Sequence, residues 1–395
     1  MVHLLGQSPT RVLHVSHQVE LGAAERSLLS LLSGFDCSRH VPHLACDGDG
    51  PLPDAARKLG VVVHDVPLRF KGIVARSVGL LRSSRALSRL IQRHDIDLIH
   101  SNTLADGYAA ALAALRAGIP NIWHVRDLGY PLLGRMAADA SSWRIASSAA
   151  TAKQLAPDQT TVIHDGVDRA FFEQRGTRRA VQTELGIPFH HNLVAMVGDI
   201  TAASGHDVLL DAAAQAGDSH TTWLVIGDEA AAGAGPRLTD LQRRAQDLGL
   251  GERVRFLGHR GDLAWLLAAC DVLVHPSVNS EAAGHAVAAA QAAGVPVIAS
   301  DVSGLLELID HGTDGWLVHP GDPGQVAERV TQLMRDPGNR HRMGRAARAK
   351  AEVRWSPKAH AAATQSLYER MLEPTPTAQP AAEQRQVQLR VLTDR

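Results

Sequence analysis

Cysteine is scarce. The 395-residue chain holds three, too few for a disulfide framework, and the expectation is a protein of a reducing compartment. An excess of either charge is missing too: 40 Lys and Arg stand against 41 Asp and Glu, a net charge of -1. A general nucleic-acid binder would carry a strongly basic face, so that class is set aside. No apolar run approaches the roughly 18 residues of a membrane-spanning helix. The opening MVHLLGQSPT is too short and too uncharged for a secretory signal, and a cytoplasmic protein is expected. What is present, 45% hydrophobic and 21% charged residues, suits a folded globular chain. Its length suits two domains of roughly 150–200 residues.

Short β-branched runs alternate with amphipathic stretches, the pattern of βαβ units and a parallel sheet. Strands are expected at 11–16, 60–66, 97–100, 121–125, 143–147 and 161–164, with helices at 24–32, 78–94 and 107–117. The pattern then restarts, with strands at 193–197, 222–226, 253–257, 272–274 and 295–299. Helices are expected at 207–215, 238–248, 263–268 and 285–293. Two Rossmann-like halves follow, 1–180 and 181–355, with a helix over 356–372 returning to the first. Residues 175–182 are polar and read as a mobile junction, and 373–395, rich in Pro, Ala and Gln, as a loose tail. In such folds ligands sit at the carboxyl ends of the strands, so chemistry belongs in strand-to-helix loops.

Two loops stand out. In 17–25 (HQVELGAAE), the small residues Gly22, Ala23 and Ala24 either let helix amides approach an anion or simply make a tight turn. In 279–294 (NSEAAGHAVAAAQAAG), Glu281 precedes a helix starting near Gly284. Its carboxylate can accept hydrogen bonds from sugar hydroxyls or cap the helix, and the two uses are compatible.

These residues also carry a resemblance. The run from Gly22 to Leu28 (GAAERSL) resembles the GGAERSL loop of the retaining glycosyltransferases of family four, which have the GT-B fold. Ile99-His100-Ser101-Asn102 is similar to that family's strand end, and Val162 to Asp168 (VIHDGVD) to its interdomain VIxNGVD. The densest match runs from Ala269 through His275-Pro276-Ser277, Glu281 and Gly284 to Ala299, and continues to Leu317. The implied architecture is two Rossmann-like domains facing across a cleft, acceptor in the first and nucleoside-diphosphate sugar in the second.

The implied chemistry is sugar transfer with retention, without metal or cofactor, the leaving phosphate oxygen taking the acceptor proton. His124 and Glu281 occupy the catalytic positions. Gly22, Ala23, Gly198, Gly205, His206, Arg260, Asp262, Ala283, Gly284 and His285 occupy the donor positions, and Asn102, Arg126 and Asp127 the acceptor side. The donor is of GDP or UDP type; Asp262 either pairs with a guanine edge or caps a helix. The acceptor is a small molecule or a glycan.

The chain departs from the family at the phosphates. Asp199 stands where relatives have Arg, Ser204 where they have Lys, and Ala289 where a second carboxylate holds the ribose. One charge pair about 4 Å apart is worth about 4 kcal/mol at an effective dielectric near 20, so the loss is large unless other groups substitute. His206, Arg126, Arg260 and the amides of Gly22 and Gly205 are the candidates. A catalytically silent relative acting as a binding or partner subunit is the alternative; an epimerase or a phosphorylase fits less well.

Other signals carry less. Cys37, His40, His43 and Cys46 form C-x2-H-x2-H-x2-C, but a strand through Pro42 argues against zinc, and Asp47-Gly48-Asp49 reads as a turn. The basic run Arg69, Lys71, Arg76, Arg82, Arg85, Arg89 and Arg93 reads as a solvated helix face, with contact to an anionic membrane less favoured. Two variants separate these roles. Glu281→Ala should abolish sugar transfer, and Asp199→Arg should tighten binding of a nucleoside diphosphate, measured by titration calorimetry.

Overall fold

The computed structural model describes residues 9–68, 73–126, 141–174, 177–229, 237–279 and 284–373. Its first half alternates β1 (Thr10–Val15), α1 (Ala23–Ser33), β2 (His40–Cys46), α2 (Pro51–Lys58), β3 (Val62–Asp65), α3 (Ile73–His94), β4 (Leu98–Ser101), α4 (Leu104–Ala117) and β5 (Asn121–Val125). It closes with β6 (Trp143–Ala146), the single turn α5 (Ala149–Ala152) and β7 (Thr160–Val162). The short α6 (Ala170–Glu173) and α7 (Arg178–Glu184) lead into the second half. There β8 (Asn192–Val197), α8 (His206–Ala216), β9 (Thr221–Ile226), α9 (Arg237–Asp247), β10 (Val254–Gly258), α10 (Leu263–Leu267), β11 (Val272–His275), α11 (His285–Ala292) and β12 (Val297–Ser300) repeat the pattern. Beyond it lie β13 (Gly315–Val318), α12 (Pro323–Arg335), α13 (Pro337–Arg354) and α14 (Pro357–Leu372).

All named strand pairs are parallel, and both sheets wind the same way. The first has the order β3-β2-β1-β4-β5-β6-β7, the second β10-β9-β8-β11-β12-β13. Parallel strands are covered by helices on both faces, which is why β4 and β5 are buried at every residue. In each sheet the order reverses between its first and fourth strands. That reversal opens a crevice between diverging loops, between β1 and β4 in one domain and between β8 and β11 in the other.

The expected elements are present with ends shifted by a residue or a few, and Gly118 ends α4 in the left-handed conformation (φ 70°). One expectation is corrected. Residues 178–184, read as part of a mobile junction, form α7, because polar here does not mean exposed. Val181 and Gln182 are buried, and Gln182 Nε2 donates to the Pro188 and His191 carbonyls. Arg178 is fixed by Asp271 at 2.6 Å. Residues 175–176 and the tail from 374 lie outside the described residues. Helix α14 packs on α1, so closely that a Cβ at Gly34 would stand 2.1 Å from the Pro357 carbonyl oxygen. The chain therefore passes between the domains twice, and the passages are joined: Val167 N donates to the Trp355 carbonyl at 2.9 Å.

Histidine is used as core. His14 and His100 lie under α14, where His100 Nδ1 meets the Tyr368 hydroxyl at 2.6 Å, and His360 Nδ1 accepts from Gly166 N at 3.1 Å. Burial pushes the His14 pKa down to about 3 and that of His360 to about 4, and holds His100 well below the ordinary imidazole value. A depressed pKa means that the unfolded chain takes up protons the folded chain refuses. Stability is complete above the unfolded value of 6.5 and is lost as pH falls towards the folded values. The melting temperature should therefore decline between pH 6.5 and 5, before most carboxylates titrate; a flat profile there would show these rings solvated or charged.

Candidate active site

Four loops meet at the two crevices, and each begins where a central strand ends. After β1, Gly22 is the N-cap of α1 and Ala23 its first residue. A Cβ on Gly22 would lie 2.8 Å from Glu25 Oε2, because the buried Glu25 folds back over its own helix start. After β4 comes Asn102, whose Nδ2 donates to the Ala24 carbonyl at 3.3 Å and thereby joins the two loops.

Beneath them lies a buried ion pair. Arg126, at the end of β5, donates from Nε to Asp165 Oδ1 at 3.0 Å and from Nη1 to Asn102 Oδ1 at 3.0 Å and its carbonyl at 2.6 Å. Its Nη2 reaches Ser27 Oγ at 3.3 Å and His124 Nδ1 at 3.1 Å. Burial alone would raise the Asp165 pKa; the Arg126 guanidinium, helped by the Ser27 hydroxyl, holds it well below the carboxylate range instead. Because Arg126 donates to Nδ1, the neutral His124 carries its proton on Nε2, which faces Asp165 Oδ1 at 3.5 Å. His124 is shut in, its side chain fully buried and its ring stacked on His100, and burial keeps its pKa well below the ordinary value. In this structure it does not reach the cleft surface.

In the second domain Gly198 follows β8 with φ 149°, against Gly227, where a Cβ would overlap the Gly198 carbonyl oxygen. Ser204 Oγ donates to the Asp199 carbonyl at 2.7 Å, so this loop is braced internally. Gly205 starts α8 in the left-handed region, and a Cβ there would sit 1.9 Å from the Pro276 carbonyl oxygen. That contact, with Val278 N donating to the Ala203 carbonyl at 2.9 Å, holds the loops after β8 and β11 side by side. Gly284 starts α11, also left-handed, with no room for a side chain beside Leu305 and Leu308. Neither glycine has a side chain to cap its helix, so among the described residues first-turn amides remain as donors. The first turn of α8 carries Asp207, which is ion-paired with Arg237; that of α11 carries no acid.

The substitute cations fare poorly. His206 is buried, and burial together with Arg237 pushes its pKa down to about 4, so it is neutral near pH 7 and does not replace a lysine charge. Arg260 is held by Asp262 at 2.7–2.8 Å and by Glu184 at 2.6 Å. Asp262 is thus neither free for a base edge nor a cap: it stands at the N-cap of α10 without a capping hydrogen bond. Arg126 is consumed by Asp165. His285 is half-buried, its pKa lowered by burial. Ala289 points into the second domain's core rather than into the cleft. Asp127, Glu281 and Ala283 lie outside the described residues.

Sequence reasoning passed over Asp165 and Glu307. The first had a signal, an Asp where the interdomain motif VIxNGVD has Asn. The second spans the domains: its carboxylate accepts from Ala149 N at 2.8 Å and Ala150 N at 3.1 Å, and lies 3.3 Å from His164 Nε2. Of the C-x2-H-x2-H-x2-C residues, His40 and His43 are on opposite faces of β2, as an odd separation on a strand requires.

Two Rossmann-like domains, with glycine-started helices at both switch points, make the GT-B architecture. The model of Glycosyltransferase Family 4 matches residues 24–171 and that of Glycosyl transferases group 1 matches residues 178–350. A D-inositol 3-phosphate glycosyltransferase of Catenulispora acidiphila is 30% identical over 70% of this chain and 73% of its own length. One of Streptomyces scabiei is 32% identical over 69% and 67%. The structure of Anabaena HepE with UDP-glucose superposes with a TM-score of 0.77 at 24% identity, over 91% of this chain and 99% of that one. A glycosyltransferase of Rickettsia africae reaches 0.82 at 17% identity, over 93% and 100%. The chain belongs to the group 1, family 4 glycosyltransferases. Among the described residues no helix is long and apolar enough to cross a membrane.

Arg126→Met should destabilise the protein by about 3–5 kcal/mol, since it leaves Asp165 buried and unpaired. Arg126→Met with Asp165→Asn should recover much of that loss; urea denaturation of both variants measures it.

Proposed function

We propose that this glycosyltransferase takes a sugar from a nucleoside diphosphate in the second domain and passes it, with retention, to a hydroxyl acceptor in the first. The observation that carries the reading is the pair of glycine-started helices α8 and α11, which open from the adjoining loops after β8 and β11 at the second switch point. Each N-terminus presents free amides and about half a positive charge. With Arg126 and Arg260 already paired and His206 neutral, these amides are the groups left to receive the diphosphate, and no metal is assigned to it. Helix α11, without an acid in its first turn, is assigned the larger share.

Glu281, just ahead of Gly284, is given the sugar hydroxyls, a role carried over from the family motif. His124 then acts through Arg126 and Asp165, setting the loops after β1 and β4, rather than on the sugar itself. The acceptor is a hydroxylated small molecule or glycan. The names of the bacterial relatives make a phosphorylated inositol the first compound to try.

The test begins with UDP, GDP, ADP and dTDP in a thermal-shift series with EDTA. A nucleotide at 100 times its dissociation constant adds about 2.7 kcal/mol of stability. One responder is expected, and its sugar conjugate should yield a product of unchanged anomeric configuration by NMR. An inverted product would overturn retention, and activity lost in EDTA would overturn a metal-free phosphate site. Silence from all four nucleotides would make the chain a binding subunit.

A further inference from the structure

A second constellation lies away from the cleft, on the outer edge of the first sheet. His43 of β2 and His64 of the edge strand β3 stand on the face that α3 covers: the register pairs Ala45 with His64 and Val62 with His43. His94 closes α3. The His43 and His64 rings are parallel within 3°, and the His64 and His94 centroids are 4.5 Å apart. One ring nitrogen from each lies within 4.8 Å of the other two. His43 Nδ1 and His64 Nε2 are 2.9 Å apart. Two imidazole nitrogens on one tetrahedral zinc, at about 2.0–2.1 Å each, stand about 3.3 Å apart. Ring rotations of a few tenths of an ångström therefore separate this pair from ligand geometry.

We propose that His43, His64 and His94 form a binding site for one late first-row divalent transition ion, with zinc as the reference ion.

The donor set is all imidazole, the ligand that such ions favour over the carboxylate oxygens suited to calcium or magnesium. The three residues come from three elements, so the ion ties the edge strand and the end of α3 to the sheet. His94 is also the last residue of a 22-residue helix, where carbonyls concentrate partial negative charge. Arg11, whose charge acts on His43, is committed: it donates to the His94 carbonyl at 3.2 Å and to Asp95 at 3.0 Å. Asp65 accepts from Gly48 N at 2.9 Å and serves its turn rather than the ion. A groove of about 450 Å³, lined by His64, Asp65, Arg89, Arg93 and His94, gives the ion a path in and leaves a coordination position open to solvent. The site lies on β2 and the edge strand β3, on the side of β1 away from β4, and is independent of the role assigned to the cleft.

The test uses the full chain, made without a polyhistidine tag, stripped with EDTA and dialysed against Zn²⁺. Bound metal is counted by mass spectrometry, and Co²⁺ absorption reports the ligands. One equivalent per chain is expected, with affinity reduced at least about tenfold in His64→Gln and in His94→Gln. The second histidine group, His190, His191 and His220, with centroids 4.7–5.9 Å apart, supplies the control. His190→Gln with His220→Gln should leave the stoichiometry unchanged. Circular dichroism in EDTA verifies that each variant is folded, and His94→Gln, at a helix end, keeps the test open if His64→Gln is not. No bound zinc in the wild type would overturn the proposal, as would zinc lost only from the control variant.

Discussion

Arg126 and Asp165 are buried together, and much of the first domain's working end is arranged around that pair. Neither charge is well tolerated there alone, since removing either leaves the other largely desolvated and without a counter-ion. The guanidinium spends its remaining donors on Asn102, Ser27 and His124, so one cation fixes the loop after β4, the face of α1 and the ring beneath them. Asp165 sits where the chain leaves the first domain, and His360, on the returning helix, accepts from the next amide, Gly166 N. The crevice in one domain and the passage to the other are thus set by the same electrostatic contact.

A cost follows for the phosphates. Three cations near the cleft are already neutralised: Arg126 by Asp165, Arg260 by Asp262 and Glu184, Arg237 by Asp207. In the proposed donor site, where the resemblance puts Asp199 and Ser204 at two basic positions, the diphosphate is assigned to backbone donors. Fixed amides differ from side-chain cations in useful ways. They lose no rotamer entropy on binding, cannot be drawn off by a neighbouring carboxylate, and hold their direction as charge develops on a leaving group. Glycine suits both helix starts because each is left-handed, and at Gly205 the Pro276 carbonyl comes too close for any Cβ.

Much of this was readable from the residues. Short β-branched runs giving way to amphipathic stretches marked the strands and helices to within a few residues, and small residues after strand ends marked two of the four loops. Gly205 and Gly284 were legible for the same reason, since a glycine at a strand-to-helix turn advertises its backbone. What stayed hidden was pairing across long stretches of chain. Nothing local to Arg126 says that Asp165, 39 residues on, will claim it. Nor does the polarity of 178–184 say that Gln182 will be sealed under its own loop. His206 looked like a spare cation in sequence; only its burial reveals it as uncharged.

The two interdomain passages lie against one another, joined by the Val167–Trp355 hydrogen bond. Mechanically this makes a book spine rather than a pair of separate straps. Rotation of one domain against the other pivots about that line, and the loops at the mouth of the cleft sweep the longest arcs. Glu307, clasping the first amides of α5, stands off the spine like the catch on a cover. Its grip must be released before the leaves can part.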